Sequence, residues 1–198
     1  MRADGEQQGS PQQTPLRFWR ELSATTAGTF MAAAAANTLN QMYEIQSDAL
    51  MGRTRLRPLP TGRLSVAQAA VFAAASAASG IALLVHETNP AAATIAAANV
   101  ALYAGVYTPL KALSPINTWV GAVVGALPPM LGWAAASGGK LMGERERGAW
   151  ALGGLLFLWQ IPHFHALAAV ARADYAAGGL KMLAVTNPSC NAQWAKLT

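Results

Sequence analysis

Three polar residues that could hold a metal ion stand four positions apart at the end of a hydrophobic stretch. Asn40, Glu44 and Asp48 would form one acidic stripe on a helix. Arg53 and Arg57 follow, again four residues apart. Carboxylates that bind a divalent cation, with guanidinium groups nearby, suit a polyanionic substrate such as a diphosphate held through Mg²⁺. A solvated helix end is the alternative interpretation of so short a pattern.

The segment after the stripe is predicted to turn rather than to continue as a helix. Pro58 disfavours helical conformation at Arg57. A turn at this point would let both guanidinium groups form forked hydrogen bonds with phosphate oxygens.

Two further strings carry candidate residues. Tyr107 and Lys111 belong to the string YTPLK, where Pro109 is predicted to end a helix and the Tyr and Lys would suit a membrane interface. His163 and His165 belong to the string WQIPHFHAL. Neighbours at i and i+2 lie on different helix faces, which argues against a shared zinc ion.

A histidine inside a membrane is nevertheless a functional candidate, and haem iron accepts histidine as an axial ligand. We therefore take His163, and after it His165, as candidates for contact with a haem. Arg172 and Asp174 follow this string and add a second acidic and basic pair.

The composition predicts an all-α, polytopic membrane helical bundle. The chain has 198 residues, of which 53% are hydrophobic and only 12% are charged. Five stretches contain no Asp, Glu, Lys or Arg, and each is long enough to cross a bilayer. These stretches are Leu22–Tyr43, Leu64–Val85, Thr88–Leu110, Ala112–Gly139 and Gly148–Ala171. An alanine-rich soluble bundle is the alternative, but its helices would carry charge on an outer face.

The predicted membrane domain covers residues 16–188. Residues 1–15 are predicted to be a disordered polar lead, and residues 189–198 an irregular tail. The single cysteine, Cys190, excludes an internal disulfide framework and a cysteine-based zinc site.

If all five stretches cross the membrane, the loops alternate between two sides. The loop 44–63, the loop 111–117 and the chain after Arg172 share one side, which we call the motif side. It holds eight basic and three acidic residues, whereas the opposite side holds six of each. A basic rim around an acidic stripe would attract an anionic, metal-bound substrate. The predicted partners are therefore a lipid bilayer and small anions, and not nucleic acid.

The run from Asn40 to Gly62 resembles the signature of the UbiA-type intramembrane prenyltransferases. That signature has Asn, an acid and Asp at intervals of four, then Met-x-Arg-Ser/Thr-x-x-Arg and a Gly. The matching positions here are Asn40, Glu44, Asp48, Met51, Arg53, Thr54, Arg57 and Gly62. Ser47 departs from the bulky apolar residue that usually precedes the Asp. In that family the acidic motif holds Mg²⁺ on an isoprenyl diphosphate.

The strings YTPLK and WQ-x-PHF-x-AL resemble one branch of this family, which transfers a farnesyl group to a vinyl group of protohaem IX. The resemblance implies farnesyl diphosphate and haem B as substrates and Mg²⁺ as cofactor. It implies the metal ligands Asn40, Glu44, Asp48 and Asp174, which are also catalytic together with Tyr107. It implies the diphosphate-binding residues Arg53, Arg57, Lys111 and Arg172. Ala112 and Ala173 stand where the branch usually has a basic and an acidic residue.

Two alternatives stay open at this point: a prenyltransferase for an aromatic quinone precursor, and a non-catalytic membrane fragment. Family members have more membrane helices than the five predicted here, so we expect a truncated chain. Glu44, in place of the usual bacterial Asp, favours a eukaryotic, mitochondrial inner-membrane protein with the motif side toward the matrix. In a bacterium the plasma membrane would replace it. The haem product would be handed to a haem A synthase.

Overall fold

The computed structural model describes residues 14–187, which form helices and connecting turns without any strand. The all-α fold class is therefore confirmed. The helices are α1 (Pro15–Tyr43), α2 (Ile45–Leu50), α3 (Val66–Glu87), α4 (Pro90–Leu102), α5 (Thr108–Leu113), α6 (Asn117–Ala136), α7 (Arg147–Val170), α8 (Arg172–Ala177) and α9 (Leu183–Thr186). A π-helical turn, Tyr103–Tyr107, joins α4 to α5.

Four helices are long and apolar enough to cross a membrane: α3, the continuous segment Pro90–Leu113, α6 and α7. All five charge-free stretches fold largely as helices, as predicted. The first lies within α1, which has membrane length but contains Asn37, Asn40 and several threonines and is not among the four. The predicted tail 189–198, Cys190 and most of the polar lead lie outside the described residues.

Small residues let α1 and α3 pack closely along most of their length. Gly28 and Gly80 face each other, and Leu84 lies fully buried beside Gly28. A Cβ added at Gly80 would stand 2.8 Å from the Gly28 carbonyl oxygen and 2.8 Å from Met31 Cβ. Because close contact of helix backbones requires small residues in a membrane, this glycine pair determines how near the two helices approach.

We expect Gly80→Ala to lower the free energy of unfolding by about 1–3 kcal/mol, since the added methyl group overpacks a contact made partly by backbone. Gly154→Ala on α7 is the matched control, because a Cβ there meets no atom of residues 14–187 within 4 Å. Thermal unfolding in one detergent measures both. Equal midpoints for the two variants would contradict the close packing of α1 on α3.

The apolar core lies where α1, α3, α4 and α6 meet, away from the motif side. It is built largely of alanines around Leu84 and Leu131. Asn89 caps α4 by accepting from the Ala92 N–H, and its amide donates to the Ala134 carbonyl at 2.8 Å. On the same side Arg20 and Glu87 form an ion pair at 2.7 Å. Glu87 is thus half-buried and paired.

Helix α6 continues through Pro128 and Pro129 to Ala136, although prolines inside a helix usually kink or end it. Each proline removes one backbone hydrogen bond. Such a loss is tolerated in membrane helices when neighbouring groups pack against the site. Here α7 packs along α6, and the Gln160 side chain inserts at Gly125, one turn before the two prolines.

The three segments assigned to the motif side lie together, as predicted. The Lys181 N–H donates to the Lys111 carbonyl at 2.7 Å. The Gly52 N–H donates to Asp174 Oδ1 at 3.0 Å. A second apolar cluster, which includes Met51 and Met182, packs beneath these contacts. The loop after α2 is therefore fastened to the chain that follows α7.

Candidate active site

The acidic stripe is buried, which excludes the interpretation as a solvated helix end. Asn40, Glu44 and Asp48 are 7%, 7% and 0% exposed. Helices α1 and α2 are nearly continuous across Glu44, because its N–H donates to the Asn40 carbonyl and its own carbonyl accepts from the Asp48 N–H. The predicted spacing of four residues is therefore kept.

Each buried carboxylate of the stripe lies beside a basic side chain. Lys111 Nζ is 2.9 Å from Glu44 Oε1, and both side chains are buried. Arg57 Nη1 is 2.8 Å from Asp48 Oδ2, and the Arg57 side chain is 39% exposed. Burying isolated carboxylates would be costly, so these two cations compensate the charge of the stripe.

One oxygen of the stripe has neither a hydrogen bond nor an ion pair with any residue between 14 and 187. Asp48 Oδ1 is buried and accepts no hydrogen bond from any residue in 14–187. Buried polar atoms of native proteins nearly always have a partner, and a bound ion is one explanation for an exception. The atom is thus a candidate metal ligand.

Asn40 connects the stripe to the segment that carries Lys111. Its Nδ2 donates to Glu44 Oε2 at 2.5 Å. Its Oδ1 accepts from Lys111 Nζ at 3.2 Å and from the Tyr103 hydroxyl at 3.0 Å. The amide is thus held by hydrogen bonds at both of its polar atoms.

The arginine loop turns as Pro58 predicts. Residues 51–64 form consecutive turns and bends, and the Thr54 hydroxyl donates to the Asp48 carbonyl at 2.9 Å. Arg53 is exposed; its guanidinium donates to the Tyr175 hydroxyl at 3.4 Å and lies 5.5 Å from the centre of that ring. Arg53 thus lies at the open rim of the site, while Arg57 reaches into it.

The second motif, which is the pair Arg172 and Asp174, lies beside the loop that follows the acidic stripe, but its acid has a different neighbour. Asp174 is bound to the backbone of Gly52 rather than to a side chain of the stripe. Arg172 is exposed. Between residues 14 and 187 no three Asp, Glu, His or Cys side chains come close enough to hold one ion. The four predicted metal ligands therefore do not form a ready-made coordination sphere.

Pro109 was expected to end its helix, but the chain continues to Leu113 by way of the π-helical turn. Pro109 has no N–H to donate, and the turn shifts the preceding bonds so that the Thr108 N–H and hydroxyl both donate to the Tyr103 carbonyl. The Tyr107 ring packs against Gly121 and lies 4.9 Å from Lys111 Nζ.

The contact between Tyr103 and Asn40 was not predicted from the sequence. The available signal was the repeat of Tyr103, Tyr107 and Lys111 at intervals of four, which parallels the spacing of the acidic stripe.

The two histidines lie on different faces of α7, as predicted. His163 is exposed and stacks on Trp159, with ring centres 4.8 Å apart. His165 is buried, and its Nδ1 lies 2.7 Å from the Ile161 carbonyl oxygen. His165 also lines an open groove of about 530 Å³ together with Ser114, Pro115, Ile116, Thr118, Trp119 and Leu183. Contact with haem stays a prediction for both residues.

Comparison with known proteins gives one family for nearly the whole chain. The model of the UbiA prenyltransferase family matches residues 12–198. Three relatives carry the name protoheme IX farnesyltransferase, mitochondrial. The protein of Arabidopsis thaliana is 58% identical over 85% of this chain and 38% of its own length. Those of Emericella nidulans and Homo sapiens are 50% and 45% identical, over 85% and 86% of this chain and 35% and 37% of their own lengths.

The chain thus spans little more than a third of the length of these relatives. No solved structure matches it significantly.

Proposed function

The chain belongs to the UbiA prenyltransferase family, and on this premise we propose that it binds an isoprenyl diphosphate with Mg²⁺ on the motif side. We further propose that it transfers the farnesyl group of farnesyl diphosphate to a vinyl group of protohaem IX. The observation that carries the proposal is the buried stripe of Glu44 and Asp48 with its basic partners Lys111 and Arg57.

The residues present suit a magnesium ion. Mg²⁺ is usually held by one or two carboxylates together with water and substrate phosphates, rather than by a complete protein cage. The absence of a three-acid cluster within residues 14–187 is compatible with this mode of coordination. Asp48 Oδ1 is buried and accepts no hydrogen bond within residues 14–187, so it could coordinate the ion. Glu44 and Asp174 are the other acids nearby. When bound, Mg²⁺ would neutralise the diphosphate and stabilise its departure.

The basic side chains would change partners when the substrate binds. Lys111 and Arg57 now compensate the carboxylates, and a metal ion on those carboxylates would leave them to bind phosphate oxygens. Arg53 and Arg172, exposed at the rim, would attract the diphosphate from solution. Negative charge that grows on the leaving group would thus meet cations already in place.

We propose that Tyr107 acts on the allylic carbon. Its ring lies under Lys111, and an aromatic face attracts a developing carbocation. In the overall reaction the C1–O bond of farnesyl diphosphate breaks and C1 joins one vinyl carbon. The hydroxyl of a water molecule adds to the other vinyl carbon, and one proton is released. Bulk water must be kept out, because it would convert the allylic cation to an alcohol.

The acceptor is proposed from the names of the relatives, all of which are called protoheme IX farnesyltransferases. The groove beside His165 has largely apolar walls, and we propose that a porphyrin binds there. His165 lines the groove, and His163 is the second candidate for contact with the haem. A quinone precursor is not favoured, since no relative named here carries such a name. From the same names we propose a multi-pass protein of the mitochondrial inner membrane, which hands its product to a haem A synthase.

Formation of haem O tests the proposal. The chain would be expressed in a strain that lacks its own enzyme for this step, and extracted haems would be separated by chromatography. Haem O in the extract would support the transfer. Its absence, with the protein correctly inserted and shown to bind farnesyl diphosphate, would contradict haem as the acceptor.

The second motif offers a gain-of-function prediction. Ala173 is exposed beside Asp174, so a longer side chain fits there. We expect Ala173→Glu to lower the Mg²⁺ concentration for half-maximal binding of farnesyl diphosphate by about 10-fold, because a second acid strengthens the metal site. Ala176→Glu, exposed on the same helix, is the control. An equal change in both variants would mean that general negative charge, and not the motif position, is responsible.

A further inference from the structure

Tyr103 reaches the acidic stripe from the segment that carries Lys111. Its hydroxyl donates to Asn40 Oδ1 at 3.0 Å and lies 3.4 Å from Asn37 Oδ1. It stands outside the string YTPLK on which the resemblance depends. We propose that Tyr103 is a positioning residue of the diphosphate site, which orients the Asn40 amide and does not itself contact the substrate. The inference rests on the proposed function, because it concerns the same site.

The π-helical turn brings Tyr103 to this position. On an α-helix, residues four apart are displaced by about 40° around the axis, so residues eight apart drift by about 80°. A wider turn takes more residues per rotation and offsets that drift. Tyr103 and Lys111, eight residues apart, can therefore both reach Asn40 Oδ1. Pro109 favours this turn because it has no N–H to donate. The string that contains Lys111 therefore also orients Tyr103 toward Asn40.

Two donors at Asn40 Oδ1 determine which way the amide faces. Because the amide oxygen accepts from Tyr103 and Lys111, its nitrogen must face Glu44, to which it donates at 2.5 Å. That hydrogen bond orients the Glu44 carboxylate. Glu44 Oε1 then points toward Lys111 and away from the amide.

The contribution of Tyr103 grows when the substrate arrives. In the proposed function Lys111 moves from the stripe to the diphosphate, and one of the two donors at Asn40 Oδ1 is lost. The Tyr103 hydroxyl then keeps the amide, and through it Glu44, in the orientation that the metal ion needs. Groups that orient a metal ligand typically change metal affinity by about 10- to 100-fold.

Tyr103→Phe tests this role, because it removes the hydroxyl and keeps the ring. The purified chain in lipid nanodiscs would be titrated with Mg²⁺ while it binds farnesyl thiodiphosphate, an analogue that does not react. We expect the variant to need about 10-fold more Mg²⁺ for half-maximal binding and to regain normal affinity at saturating Mg²⁺. Tyr43→Phe is the control, since Tyr43 is exposed at the end of α1.

A second variant separates positioning from general stability. In Asn40→Leu the side chain keeps a similar size but has no amide to orient, so adding Tyr103→Phe should not raise the Mg²⁺ requirement further. A rise of the same size in that background, a loss of affinity that saturating Mg²⁺ does not restore, or a Tyr103→Phe effect below twofold would overturn the inference alone. Failure of the unsubstituted chain to bind the analogue with Mg²⁺ would overturn the proposed function as well.

Discussion

Asp48→Asn should lower Mg²⁺-dependent binding of farnesyl thiodiphosphate by about 100-fold or more, because it removes the charge of the carboxylate that we propose as a metal ligand. The substitution keeps the size of the side chain. It leaves Arg57 without its carboxylate, but the Arg57 side chain is 39% exposed and can be solvated. The fold should therefore persist while binding is lost. Equilibrium binding in nanodiscs, with thermal unfolding of the same samples, measures both effects.

Glu144→Gln is the control for Asp48→Asn. Glu144 is exposed on the opposite side of the bundle, where it pairs with Arg147 at 3.2 Å. It removes the same charge from the chain without touching the motif side, so binding should be unchanged. If the Asp48→Asn variant bound farnesyl thiodiphosphate at low Mg²⁺ as tightly as the unsubstituted chain, the proposal that the stripe binds the metal would be wrong.

The bundle could be predicted from the sequence because charge is distributed so unevenly along it. Stretches without charge have to be helices in a bilayer, and the number of crossings assigns each loop to a side. The contacts of Gly52 with Asp174 and of Lys181 with Lys111 confirm that assignment. Helix α1 is long enough to cross a membrane but is not apolar enough to be counted among the four membrane helices. Its Asn37 and Asn40 lower its hydropathy, and both contact the Tyr103 hydroxyl.

The stripe was predictable, but its partners were not. Spacing places Asn40, Glu44 and Asp48 on one helix face, and it says nothing about which cation meets which carboxylate. The pairing of Lys111 with Glu44 depends on the π-helical turn, and the helix rules used on the sequence treat Pro109 only as a terminator. Tyr103 was overlooked for the same reason, since its reach to Asn40 follows from a backbone feature that no short motif describes.

Lys111→Met should produce the largest loss of stability among the site variants. The substitution leaves Glu44 as a buried carboxylate without its cation, and removal of one partner from such a pair typically costs about 3–5 kcal/mol. The variant should also lose the phosphate contact that we propose for Lys111. A measurement of farnesyl transfer alone would not distinguish the loss of stability from the loss of the phosphate contact.

The double variant Lys111→Met with Glu44→Ala separates the loss of stability from the loss of the phosphate contact, because it removes the buried charge together with its partner. We expect thermal stability to return most of the way toward that of the unsubstituted chain, while farnesyl thiodiphosphate still binds at least about 10-fold more weakly at saturating Mg²⁺. Glu44→Ala alone shows how much of that weakness comes from the lost carboxylate. Lys140→Met, exposed on the opposite side, is the control for loss of a lysine. If the double variant bound the analogue no worse than Glu44→Ala, Lys111 would serve only to neutralise Glu44, and the leaving diphosphate would have to be stabilised by the arginines of the loop.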